Sequence, residues 1–386
     1  MVIRRNGGGL AVLGMGALAL GTTFLSVTGA SAATTSTSET AASARATLMC
    51  SNVLPSKEAS LNGVATVSAK SAWAVGSNQA GPIVEHFNGS KWSLIKAPAL
   101  NGQLGELLAA AAFPGGAWAV GANGTLGEGG KPVIYRLTGT NKVQSVPLPK
   151  LPTGGLTDVS VTSAKDAWAG GFLGHGTELL LHWNGTAWKR VSFPGKGKVT
   201  SVLGITGSSV WVTDRSLNGD TPAQMWNWNG KKWHQTTIPA LNGKAGYTLK
   251  GLSATSTKDL WAVGYFIDSN VVSNTVSIHW NGTKWSLVKG PALPMIDGAR
   301  LLAVAAISQK NVWAVGDNAQ FPAVIEHWNG QAWKVVQSPA CGGLFSISLI
   351  PGGNGWAVGA EPAAQDNIPV IFQKTGNTWN SVTVGS

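Results

Sequence analysis

The sequence predicts an all-β fold, a seven-bladed β-propeller built from four-stranded antiparallel blades. Three observations lead there. A Trp-centred landmark recurs seven times, an Asn-Gly-x-x-Trp landmark follows it in most repeats, and the composition is poor in charge and rich in glycine and tryptophan.

The first landmark reads Trp-Ala-Val-Gly or a near variant at Trp73, Trp118, Trp168, Trp211, Trp261, Trp313 and Trp356, spaced 43 to 52 residues apart. The second is fullest as His279-Trp280-Asn281-Gly282 closed by Trp285. It returns as His86-Phe87-Asn88-Gly89 with Trp92, His182-Trp183-Asn184-Gly185 with Trp188, Trp228-Asn229-Gly230 with Trp233, and His327-Trp328-Asn329-Gly330 with Trp333. The second repeat degrades it to Arg136-Leu137-Thr138-Gly139, and the seventh keeps Gly376 and Trp379. Four-stranded repeats of this period are the mark of propellers.

Each element has a local reason. An apolar run such as Leu301 to Ile307 predicts the first strand, Ser308 to Asn311 a short turn, and Trp-Ala-Val-Gly the second strand. Ala323 to Trp328 predicts the third strand and Trp333 to Pro339 the fourth. Asn-Gly between them predicts a two-residue hairpin, since both residues tolerate positive φ. The units run from about residue 60 to the C-terminus without polar capping units, so a closed ring is expected rather than an open stack. The tryptophans are then expected to pack blade against blade.

Residues 1–32 are set apart as an export signal: Arg4 and Arg5 lead an apolar stretch that ends at Ala30-Ser31-Ala32. Residues 33–49, rich in Ala, Ser and Thr, read as a linker, and 50–386 as the propeller. A secreted monomer, free or wall-associated, is expected, with no stable membrane span after signal cleavage. Losing Arg4 and Arg5 takes the formal charge from +11 to +9, which favours acidic extracellular surfaces. The lysines are scattered singly, so no nucleic-acid partner is expected. Cys50 precedes the first repeat and Cys341 lies between the sixth and seventh, neighbours in a ring, so a disulfide is expected there.

The glycine ending Trp261-Ala262-Val263-Gly264 and the pair Trp280/Trp285 resemble the blade layout of the kelch and galactose-oxidase-type propeller superfamily. The double glycine of kelch blades is absent, and Trp stands for the usual Tyr. The Asn-Gly-x-x-Trp turn resembles the Asp-box of sialidase-type propellers without its Ser and Asp. The chain is also similar to propeller-repeat proteins exported by Gram-positive, high-GC bacteria. The likeness implies a fold over residues 60–386 and little about function.

Residues recurring in register read as structural. His86, His182, His279 and His327 share one position, while Ser71, Asp166, Asp259 and Asn311 share another that suggests turn capping; Glu85 and Glu326 are read as pairing with the repeated His. Off-register residues carry the functional expectation. Loops between strands two and three, and between blades, vary most and emerge on one face. That face carries His175, Asp214, Arg215, Asp220, Tyr265, Asp268, Asp297, Asp317 and Asp366. Asp214 replaces the glycine ending strand two and Asp317 follows its own, so both are expected at the channel mouth. Asp214, Arg215, Tyr265, Asp268 and Asp317 form the candidate ligand site, with Tyr265, Phe266 and Phe321 suited to sugar stacking.

Enzyme readings find little. Copper chemistry of the galactose-oxidase type needs tyrosines, histidines and a Cys–Tyr link, and only three tyrosines exist. A sialidase-like site needs three converging arginines. No spacing marks a zinc or calcium site, so neither cofactor nor metal is expected. The reading favoured is a non-catalytic module recognising an extracellular glycan or protein. The alternatives are a polysaccharide hydrolase or lyase using face carboxylates, and a structural surface protein.

Overall fold

The computed structural model describes residues 59–97, 105–124, 129–174, 176–215, 223–241, 246–291, 298–318, 323–362 and 367–382. The export signal, the linker and Cys50 lie outside the described residues. Contacts separate Met1–Ser51 from Asn52–Ser386, and the latter holds every strand discussed below.

The described residues form seven four-stranded antiparallel sheets, each made from one contiguous stretch of chain. The inner strands are Ala59–Ser68, Gly105–Phe113, Gly154–Ser163, Lys198–Thr206, Thr248–Ser256, Arg300–Ser308 and Gly343–Leu349. Each packs against the inner strand of the next blade, and the seventh packs against the first. The ring therefore closes as the repeat predicts. Blade 6 shows the accuracy of the strand reading: its strands are Arg300–Ser308, Asn311–Asp317, Val324–Trp328 and Trp333–Val335. The fourth stops short of the expected Pro339.

Among the described residues, no strand is exchanged across the closing seam. The backbone N–H groups of Val64 and Thr66 donate to the hydroxyls of Ser346 and Ser348 at 3.2 and 2.9 Å, and the Thr66 hydroxyl donates to the Ser348 carbonyl at 2.7 Å.

Tryptophan joins the blades. The second-strand Trp of one blade meets the hairpin Trp of the next, often edge to face, a favoured arrangement for aromatic quadrupoles. Trp118 meets Trp188 at 5.4 Å and 80°, Trp211 meets Trp285 at 5.5 Å and 84°, and Trp261 meets Trp333 at 5.3 Å and 87°. Trp356 meets Trp92 across the seam at 5.0 Å and 82°, so closure repeats the internal joints. Trp73 instead joins a cluster with Tyr135 and Leu137, because the degenerate second landmark pairs Leu137 with Val143 where other blades pair aromatics.

Three local expectations are corrected. The Asn-Gly hairpins are four-residue connections, not two-residue ones: Phe87 pairs with Trp92, and the Asn88 N–H donates to Lys91 O. Glycine alone takes positive φ there, for example 94° at Gly282, while Asn281 Oδ1 accepts from the N–H groups of Thr283 and Lys284 at 3.0 Å. The asparagine is conserved within the repeat as a side-chain acceptor. In the four blades that carry the histidine, the residue two before the key Trp does not cap the turn either. It binds the repeated histidine: Asp166 to His182 at 2.7 Å, Asp259 to His279 at 2.6 Å, Ser71 to His86 at 3.1 Å and Asn311 to His327 at 3.0 Å. Held so, each imidazole lies against its blade's Trp, with centroids 4.1 to 4.6 Å apart. Serine hydroxyls such as Ser68 and Ser163 receive the turn N–H groups instead. Glu85 and Glu326 do not pair with these histidines, since adjacent strand residues point to opposite faces; both are buried.

Candidate functional site

Every inner strand carries a β-bulge near the face where the inter-blade segments enter. In blade 1, Leu61 and Gly63 oppose Gly76 and Val75, which leaves Asn62 extra. The equivalent extra residues are Leu108, Thr157, Thr200, Lys250, Leu302 and Phe345. A bulge re-aims the side chain it frees. All seven line one central channel of about 400 Å³. The bulge also explains the repeated glycine: a Cβ at Gly76, Gly264 or Gly316 would lie 1.8 Å from the opposing inner-strand carbonyl oxygen.

The ring is chemically divided. Thr157, Thr200 and Lys250 make a polar arc on blades 3 to 5, while Leu302, Phe345 and Leu108 make an apolar arc on blades 6, 7 and 2, with Asn62 on blade 1 between them. Asp158 beside Thr157 is held by Ser201 Oγ at 2.7 Å and by the N–H groups of Val202 and Val159 at 2.8 Å. Burial still pushes its carboxyl up to about 6.

Cations gather on the loop-face rim of the same blades. Lys198 and Arg215 are cross-strand partners in blade 4, as are Arg300 and Asp317 in blade 6. Lys198 Nζ lies 4.4 Å from the Phe172 ring centroid and the Arg300 guanidinium 5.6 Å from that of Tyr265, each on the preceding blade. Arg300 donates from Nε to Asp317 Oδ1 at 2.8 Å and from its terminal nitrogen to Oδ2. Lys250 stands between these blades. Desolvation in the channel, then Lys198, Arg215 and Arg300, hold its ammonium below the usual lysine range, with Asp317 opposing them.

The structure brings Arg215, Tyr265 and Asp317 together at this rim. It does not place Asp214 there. That side chain is 2% exposed, and its Oδ2 accepts the Lys196 N–H at 3.2 Å, so it anchors the segment entering blade 4. Burial pushes its carboxyl up to about 6, against the hydrogen bond from the Lys196 N–H. Asp268 closes its own loop, accepting from the N–H groups of Asn270 and Val272 at 2.9 and 3.0 Å. The loop so fixed carries Val271 at φ 63° and 82% exposed, beside the exposed Ile267. His175, Asp220, Asp297, Asp366 and Phe321 lie outside the described residues. Phe266 packs into the core between blades 4 and 5.

Among the described residues no three His, Cys, Asp or Glu side chains converge as a metal set. Sequence reasoning missed Lys198, Lys250 and Asp158. Their only signal was the repeated glycine, whose bulge partner went unread.

Fold and rim together define a seven-bladed β-propeller with a charged channel mouth. The chain is similar to YCF48 bound to D1 peptide, at 14% identity and TM-score 0.55 over 79% of this chain and 92% of that one. It is similar to YCF48 from Cyanidioschyzon merolae, at 15% identity and TM-score 0.53 over 80% and 95%, and to the WD40 β-propeller domain of Doa1, at 10% identity and TM-score 0.53 over 84% and 96%. No family model matches the sequence, and no curated protein does. At such identities the likeness carries the propeller fold alone, and it does not extend to the kelch subtype.

Proposed function

We propose that the chain is a non-catalytic binding module that takes a protein partner on its loop face. The observation that carries this reading is the blade 5 loop. Asp268 cages its tip so that Val271 is displayed in left-handed backbone, a conformation costly for a β-branched residue, with Ile267 exposed beside it. Strain that presents an apolar side chain to solvent suits a contact surface better than a connection. Two of the three aromatic rings expected to stack on sugar are otherwise engaged: Arg300 lies over Tyr265, and the half-buried Phe266 packs against the core. Asp317 is tied to Arg300 and Asp214 is buried, so neither stands as an open carboxylate on the face, and Asp366 lies outside the described residues. The peptide named with YCF48 supports a protein partner by analogy. The kelch affinity rests on the strand-two glycine and the Trp280/Trp285 pair.

Export through residues 1–32 and a Cys50–Cys341 disulfide belong to the same proposal, as does action outside the cell by a monomer. Panning a random peptide display library against the full chain tests the binding role. Selected peptides should bind Val271→Asn roughly fivefold or more weakly. A library that yields no binder above background, or binders indifferent to Val271 and Ile267, defeats this reading.

A further inference from the structure

We propose that the channel mouth is a receptor for a carboxylate of an acidic peptide segment, with Lys250 as its central ligand and Lys198 and Arg215 as flanking ones. The inference rests on the protein-binding reading above and adds the chemistry of what is bound.

Three observations converge. The bulge in blade 5 frees one residue from the ladder and turns it into the channel, and that residue is the only charged member of the seven-residue ring. The neighbouring rim adds cations from two further blades, Lys198 and Arg215 from blade 4 and Arg300 from blade 6. Arg300 is matched by Asp317, while Glu106 acts on Lys198 from blade 2. Among the described residues the cations acting on Lys250 thus outnumber the carboxylates, and an entering anion would relieve repulsion among them. Lys250 is exposed to the channel, and desolvation there, then repulsion from Lys198, Arg215 and Arg300, act to discharge it, with Asp317 opposing.

The ring decides between kinds of anion. Its polar arc of Thr157, Thr200 and Lys250 faces an apolar arc of Leu302, Phe345 and Leu108. A ligand that fills it needs a carboxylate on one flank and an aliphatic or aromatic side chain on the other. An acidic residue next to an apolar one in a peptide supplies both. A polyuronate supplies the carboxylate without the apolar side chain, and the rim rings that could stack on sugar, Phe172 and Tyr265, already carry Lys198 and Arg300.

The test uses the full chain and a short fluorescent peptide of alternating Glu and Leu, blocked at both ends, read by fluorescence anisotropy. Its Gln/Leu counterpart and an oligoglucuronate are the comparison probes. The Glu/Leu peptide should bind, should weaken with salt, and should lose about tenfold or more in affinity in Lys250→Met and in Arg215→Gln. The Gln/Leu peptide and the oligoglucuronate should bind at least about tenfold more weakly than the Glu/Leu peptide to the wild type. Lys250→Met should keep the wild-type melting temperature, because the side chain makes no blade contact through the ladder. Equal binding of the Glu and Gln peptides, or of wild type and Lys250→Met, overturns the carboxylate receptor. Tighter binding of oligoglucuronate overturns the peptide assignment. If library panning yields neutral peptides that depend on Val271 but not on Lys250, the protein-binding reading stands and this inference falls.

Discussion

Glu85 and Glu326 occupy a register that the other blades fill with Tyr135, Leu181, Trp226, Ile278 and Phe372. One oxygen of each finds no hydrogen-bond partner among the described residues, and burial pushes the carboxyls up to about 7 and about 8. A carboxyl whose pKa rises on folding binds its proton more tightly in the native state. Its stabilisation is therefore complete below the unfolded value near 4.5 and fades as pH rises toward 7 for Glu85 and 8 for Glu326. Glu326→Gln keeps the group neutral. Thermal melts should show it near wild type at pH 5 and more stable at pH 9, by on the order of 3 kcal/mol; an equal difference at both pH values refutes the account. Val271 makes an opposite case, a residue whose own backbone is strained. Val271→Asn should raise stability by about 1 kcal/mol in urea titration while weakening partner binding, because asparagine accepts positive φ. None of these three residues was legible as special in the sequence. Glu85 and Glu326 stand beside a recurring histidine and read as its companions, and nothing around Val271 marks a left-handed backbone.

Among elements, the bulge and its glycine are one device. Gly316→Ala would put a methyl 1.8 Å from the Arg300 carbonyl oxygen, with backbone on both sides and no flexible atom to yield. We expect a loss of about 3 kcal/mol or more by urea titration. Gly139→Ala is the control: it takes φ 62° in open space and should cost only about 1 kcal/mol. Similar losses at the two sites would show that the inner strand can move away. The glycine at the end of strand two was plain in the sequence, yet what it serves was not. Bulges leave the alternation of inner strands almost intact in composition, so Lys250 in Leu249-Lys250-Gly251 read as one more scattered lysine. The same blindness misplaced Asp214. Its register at the glycine position was read correctly, but its reach toward Lys196 depends on a segment that only folding brings alongside.

At the scale of the molecule, equivalence of the joints is the testable property. The seam between blades 7 and 1 has the same Trp packing as the joint between blades 5 and 6, so Trp92→Ala and Trp333→Ala should each cost about 3–5 kcal/mol. A seam markedly weaker than the internal joint would mean that closure depends on something else. With no strand exchanged across it among the described residues, the proposed Cys50–Cys341 bridge would act there, and Cys341→Ser should cost about 2–5 kcal/mol under oxidising conditions and nothing under reducing ones. Fold class, blade number and strand order were all readable, because seven copies of one packing solution repeat their signal in tryptophan. Function was not, because what differs between copies carries it, and a repeat hides its exceptions. The bulged residues turn that difficulty into an opportunity. Asn62 and Thr157 also bridge to the next blade, through Leu107 O and Val199 O, and Thr200 bonds Thr213, whereas positions 108, 250, 302 and 345 are freed from the ladder and remote from the tryptophan joints. Selection, natural or in the laboratory, could retune the channel's charge and bore through these four codons alone, which makes the molecule a ready scaffold for binders of chosen specificity.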